Sequence, residues 1–311
     1  MKMSNPKVTI AIPTYNRATF LPESIESVLK QSYDNIEIII SNNDSIDNTE
    51  EIINNYPDNR IRYFKQIKNI GMAPNWQFCL EQAKGDFFLL LSDDDVLERD
   101  AIKWMVEQLN NDDVALAYTR CLYIDASSKP FKLGLTAPEY ETGHNFILNN
   151  LLFKRFPLPS ATLFRTFTAK KIGGYPLEIE TACDFGLAML IAMDGMVVFN
   201  KNPLVKYRVH RNSLSNSDQA ISALDKYIHW VEIPLSPQYK YKEEVCKYCL
   251  SQLYNIAKVQ IIKGNTDNAQ KALSSFRKMA KLNCYQEIIL LLFRIVYISK
   301  LMHIRDIIRT T

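Results

Sequence analysis

No stretch of this chain reaches the roughly 18 consecutive apolar residues that span a bilayer, so no transmembrane helix is expected from it. The N-terminal segment "MKMSNPKVTIAIPTYNR" has too short an apolar run for a signal peptide and is broken by Pro13. Strong charge of one sign is also missing. The net charge is +3, with Lys and Arg scattered along the chain, which gives no reason to expect a nucleic-acid partner. The six cysteines show no paired metal-type spacing. Cys246 and Cys249 form a single C-x-x-C within a helical pattern, with no second pair to complete a site. Low-complexity tracts and clear repeats are absent. These absences leave a reduced, cytoplasmic chain as the expectation. With 311 residues, 47% of them hydrophobic, it is long enough for one large domain and an appendage.

The first half alternates between short apolar runs and amphipathic stretches. Residues 8–12, 36–41, 61–64 and 87–91 read as strands; 20–31, 48–55, 73–84 and 100–109 read as helices, the third stopped by Gly85. Continuous apolar strands between amphipathic helices predict a mostly parallel α/β sheet covered on both faces. Further on, 114–125, 160–165 and 196–200 read as strands. A long polar loop follows the first of these, and a helix over 184–195 precedes the last. From about residue 217 helical periodicity takes over, predicting a sheet domain over 1–216 and an all-helical region over 217–311. The apolar stretch 284–309, edged by Arg294, Lys300, Arg305 and Arg309, suits a membrane surface, a homo-oligomer interface or plain core packing.

Sheets of this kind bind ligands beyond the carboxyl ends of their strands. Three polar clusters fall there: "PTYNR" (13–17), "SNNDSIDNT" (41–49) and "SDDD" (92–95). Asp93, Asp94 and Asp95 pose the sharpest question, because adjacent like charges repel at the end of a buried strand. One or two of them could serve as caps at the positive end of a helix. Three exceed that need, and carboxylates together with a substrate's phosphates are the usual ligands of Mg²⁺ or Mn²⁺.

The segments "IAIPTYNR", "ISNNDSIDNT", "NIGMAPNW", "KGDFFLLLSDDDVL" and "LVKYRVHRNSLS", in that order, resemble the family-2 glycosyltransferases, nucleotide-sugar enzymes of the GT-A fold. The resemblance covers roughly residues 7–213. It implies a nucleotide site at Pro13, Tyr15 and Arg17, with the Tyr15 ring stacking on the base and Arg17 near the phosphates. It implies a tight turn at Asn69 and Gly71, with Asn75 and Trp76 facing the ribose. It places Asp94 at the metal-binding position of a DXD-type motif, Asp93 near the ribose or as a second ligand, and Asp95 at a helix start close to the metal. The register stays open by one residue, because Ser92 stands where the family often has Asp. Asn42 replaces a family Asp that accepts from the base; its amide also offers a donor, which suits uracil. Asp184 falls at the catalytic-base position, where it could equally cap its helix, with Glu178 and Glu180 the next acids. His210 would complete the metal shell or meet the diphosphate, and Arg208 and Arg211 would offset its charge.

The resemblance thus implies an inverting transferase using Mn²⁺ or Mg²⁺. It would move a sugar from a nucleotide diphosphate, UDP before others, to a hydroxyl of a glycan or lipid-linked glycan in bacterial cell-surface synthesis. A nucleotidyltransferase is the first rival, but its phosphate loop is usually Gly-rich and "PTYNR" has no glycine. A non-catalytic nucleotide-binding scaffold is the second, although most of the expected side chains are present.

Overall fold

The computed structural model describes residues 4–153, 157–177 and 182–210, all within the first of two compact units, Met1–Lys226. The expected boundary near 216, the C-terminal helices, Arg211, Glu178 and Glu180 lie outside the described residues.

The expected α/β alternation is present. Strands β1 (Val8–Thr14), β2 (Ile36–Asn42), β3 (Ile61–Lys65) and β4 (Phe87–Leu90) pair in parallel in the order β3-β2-β1-β4. Every residue of β1, β2 and β4 is buried, as continuous apolar strands require when helices cover both faces. Helices α1 (Leu21–Leu29), α2 (Thr49–Asn54), α3 (Met72–Gln82) and α4 (Ala101–Leu109) make the crossovers. Leu21, Ile25 and Val28 of α1, with Ile102, Met105 and Leu109 of α4, join Ile10, Ile12, Ile38 and Leu89 in one core. That burial is the main stabilising term; each such side chain contributes about 1.5–3 kcal/mol.

The run after Asp95 departs from expectation. It forms a short strand, β5 (Val96–Leu97), and α4 begins only at Ala101. The aspartates therefore do not start a helix. Val96 and Leu97 extend because they complete the far edge of the sheet, antiparallel to the last strand. Gly85 is not the stop of α3 either. The helix ends at Gln82 with Ala83 already extended, and a Cβ on Gly85 would lie 2.5 Å from the Thr9 backbone nitrogen. Close approach of two backbones, not helix termination, requires glycine there.

The second half widens the sheet through β6 (Val114–Ile124), β7 (Pro130–Leu133), β8 (Tyr140–Thr142), β9 (Thr162–Arg165) and β10 (Met196–Arg208), with helices α5 (Gly143–Phe153), α6 (Thr166–Lys171) and α7 (Cys183–Ala192). The β9 strand runs antiparallel between β4 and β6, and β10 runs parallel to β6. The expected loop after β6 instead contains β7, β8 and α5. All four residues of β7 are exposed, so the sequence there shows no buried period to read. Among the described residues no helix is long and apolar enough to cross a membrane.

Candidate active site at the carboxyl edge of the sheet

Strands β1, β2 and β4 open at their carboxyl ends onto three mutually braced loops. Asn16 adopts the left-handed region at φ 53°. Its N–H donates to Ser45 Oγ at 2.9 Å, and its Oδ1 accepts from the Ile46 N–H at 2.8 Å. Ala18 N–H donates to Asp47 Oδ2 at 3.0 Å. Behind them, Asn43 accepts from Ile70 N–H at 2.9 Å and donates to Asn69 Oδ1 at 3.0 Å and to the Gly71 carbonyl at 3.2 Å. Gly71 itself sits at φ 91°, so the tight turn at 69–71 needs its missing side chain.

The three aspartates resolve their repulsion by diverging. Asp93 turns toward β1, where Oδ2 lies 3.4 Å from the Tyr15 N–H. Burial, then the charge of Asp94, push its carboxyl up to about 7, against the pull of Arg17 and of that N–H. Asp94 turns to the last strand, with Oδ2 2.9 Å from His210 Nε2. The same nitrogen lies 3.4 Å from Arg17 NH1, and the imidazole ring packs on Phe20 at 4.9 Å. Asp95 points inward and is wholly buried. It accepts from Ser160 Oγ at 2.5 Å and from the Arg208 N–H at 2.9 Å. Desolvation and Asp94 raise its pKa well above the usual carboxylate range.

Arg208 is 1% exposed, and its guanidinium is spent inside the fold. Nε donates to the Asp94 carbonyl at 2.8 Å, NH1 to the Asp125 carbonyl at 3.1 Å and to Ser128 Oγ at 2.9 Å, and NH2 pairs with Glu23. The cation thus ties the aspartate loop to α1 and to the turn after β6. It has no face toward the open edge.

Asp184 lies in the first turn of α7 and makes no side-chain cap. It is half-buried in a small pocket with Leu90, Pro157, Thr162 and Tyr175. Leu90 ends β4 three residues before Asp93, so the pocket adjoins the aspartate loop. Desolvation by these neighbours pushes the carboxyl up to about 6, while backbone N–H groups of Phe185 and Asp184 pull it down.

The structure therefore brings together Tyr15, Arg17, Asp93, Asp94 and His210. Tyr15 is 44% exposed, with its ring available. Besides Asp95, five other expected site residues make their contacts within the fold. Pro13 is buried in register with Ser41. Asn42 accepts from Ser45 N–H at 2.8 Å and donates to the Tyr63 hydroxyl at 3.1 Å. Asn75 exchanges hydrogen bonds with Ser41, at 2.6 and 3.1 Å, and so faces β2 rather than a ribose. Trp76 packs edge-on against Tyr175. Arg208, described above, is the fifth. Sequence reasoning missed Glu23, Asn43 and Ser160. Glu23 reads as an ordinary solvated helix residue, and only the composition of "SNND" marks Asn43.

No group of three or more His, Cys, Asp or Glu side chains converges on one point among the described residues. The donors present still fit a divalent ion. An unprotonated His210 Nε2 and the Asp94 carboxylate offer lone pairs to the same space, with Asp93 alongside. Such ions commonly take one or two carboxylates and complete their shell with substrate phosphates and water.

Comparison with known proteins agrees with this geometry. The chain is 30% identical over 229 residues to an uncharacterized glycosyltransferase of Rickettsia typhi, covering 72% of this chain and 70% of that one. Its fold matches S. aureus TarS in complex with UDP-GlcNAc, with a TM-score of 0.69 at 16% identity over 88% of this chain and 81% of the other. It also matches the mannosyltransferase PcManGT from Pyrobaculum calidifontis in complex with GDP-Man and Mn²⁺, with a TM-score of 0.59 at 16% identity over 94% and 81%. The fold is GT-A. Residues 9–169 match the sequence profile of Glycosyl transferase family 2, and with the Rickettsia relative this establishes that the chain belongs to that family.

Proposed function

We propose that this glycosyltransferase uses a UDP-sugar and transfers with inversion to a hydroxyl of a bacterial surface glycan or its lipid-linked precursor. The observation that carries the reading is the meeting of Tyr15, Arg17, Asp93, Asp94 and His210 at the carboxyl edge, beside the Asp184 pocket. The UDP-GlcNAc complex of TarS supports the nucleotide, and the Mn²⁺ complex of PcManGT supports the metal.

The half-exposed Tyr15 ring offers a stacking face to the base, and Arg17 offers charge to the diphosphate. Asp94 and His210 would hold the divalent ion, which when bound supplies positive charge against the departing diphosphate. Asp93 supports the same place from the β1 side. Asp95 and Arg208 do not touch substrate; they fix the loop that presents Asp94.

Asp184 is the general base. Its raised pKa leaves it largely ionised at neutral pH yet basic enough to take a proton. As the acceptor oxygen bonds to the anomeric carbon, the bond to the diphosphate breaks and the hydroxyl proton passes to Asp184. A single base and a single displacement invert the anomeric centre. Apolar neighbours around Asp184 limit the access of water, which would otherwise take the sugar.

The test is a panel of nucleotide sugars scored for protection against thermal unfolding with Mn²⁺, followed by slow hydrolysis of whichever protects. UDP-sugars should protect and be hydrolysed to UDP. Protection only by UTP, with release of pyrophosphate, would point to nucleotidyl transfer; protection without turnover would point to a scaffold.

A further inference from the structure

A second cleft borders the Asp184 pocket, sharing Pro157 as a wall. The cleft opens to solvent and has a cavity volume of about 70 Å³. It occupies the gap along β6 between its pairing with β9 and its pairing with β7. Tyr118, Phe199 and Tyr123 line it, with Leu135 at its rim and Arg120 among them. Tyr118 and Phe199 pack at 4.9 Å as one aromatic wall.

Arg120 gives the cleft its chemistry. Nε donates to the Gly134 carbonyl at 2.8 Å, which fixes the guanidinium plane. Among the described residues its NH1 and NH2 meet no acceptor. Asp95 is the acidic group that acts on Cys121 and Tyr123 of the same strand, but its oxygens are already held by Ser160 and Arg208. Lys132 Nζ adds positive charge nearby, 5.4 Å over the Tyr123 ring. A planar fork with two unspent donors matches the paired oxygens of a phosphate or carboxylate.

We propose that this cleft is the acceptor subsite and that it takes an acceptor bearing an anionic group, a phosphate or a carboxylate, held by Arg120 while its hydroxyl reaches Asp184. The assignment rests on the donor reading above but concerns a different set of residues. Neither Arg120 nor the cleft touches the Asp94–His210 pair, so the two can fail separately.

The experiment measures binding of glucose 6-phosphate, glucuronate and glucose by calorimetry, with UDP and Mn²⁺ saturating so that the donor site is filled. Wild type should bind at least one of the two anions tenfold or more tighter than glucose, roughly the worth of a charge-assisted pair. The better of the two identifies phosphate or carboxylate as the group. Arg120→Gln should remove that preference, with UDP affinity unchanged as evidence of an intact fold. Arg120→Lys, which keeps the charge without the fork, should restore only part of it. Failure of both anions to bind wild type more tightly than glucose overturns the proposal, as does undiminished discrimination in Arg120→Gln. Loss of UDP binding in wild type would count against the donor reading instead, and the same sugar titrations without UDP would still judge the cleft.

Discussion

His210 Nε2 lies 2.9 Å from Asp94 Oδ2, although 116 residues separate them in the chain. Two groups that each favour a cation nearby have been placed side by side at the mouth of the proposed nucleotide site.

That pairing predicts joint behaviour. Asp94→Asn should abolish turnover and the gain in UDP affinity on adding Mn²⁺, with the fold intact. His210→Ala should weaken the Mn²⁺ effect in the same direction. Titrating UDP with and without Mn²⁺, by calorimetry, checks both. Full activity in EDTA would sink the metal reading.

Asp184→Asn keeps the shape and removes the proton acceptor. Transfer should fall by at least about a hundredfold with UDP-sugar affinity nearly unchanged. In wild type the transfer rate should fall about tenfold per pH unit below about 6, the pKa to which burial raises Asp184, and level off above it. A rate in the Asn variant equal to wild type would leave Asp184 a structural residue.

The same shift has a sign in stability. Because the folded pKa exceeds the ordinary 3.8, ionisation of Asp184 costs the folded state. That cost is absent below about pH 4 and complete above about pH 6. Asp184→Asn should therefore melt higher than wild type at pH 8 and alike at pH 4. Calorimetric melting at the two pH values tests this.

Arg208→Lys should be destabilising, because the part-buried carbonyls of Asp94 and Asp125 lose their donor, at up to about 1–3 kcal/mol each. Glu23→Gln should cost no more than about 1 kcal/mol, since the Glu23 side chain is 44% exposed. Urea midpoints of the two variants give the comparison. Equal costs would contradict the assignment of Arg208 as the central tie.

Much of the fold was legible because buried parallel strands leave continuous apolar runs, as in "VTIAI" and "IEIIIS". The exposed β7 left no such trace, and "VL" after the aspartates is too short to separate from a helix start. The site was legible by position more than by direction. The motifs fell on α3 at Asn75 and on the end of β10 at Arg208, but a motif does not say which way a side chain turns. Asn75 meets Ser41 and Arg208 meets Glu23 through partners more than 30 residues away. Ser160 was invisible for the same reason: a single hydroxyl gains its role only when β9 lies beside β4.

Asp95 takes its second partner from a strand translated 113 residues later. At ~5–20 residues per second, the ribosome needs about 6 to 23 s to deliver Arg208 after Asp95 has emerged. Ser160 arrives first, 65 residues after Asp95, and until Arg208 follows the carboxylate lacks its second partner. The parallel half of the sheet can assemble from the early chain, but the Asp94–His210 pair cannot. The proposed donor site is therefore incomplete in the nascent chain until nearly the whole described domain has left the ribosome.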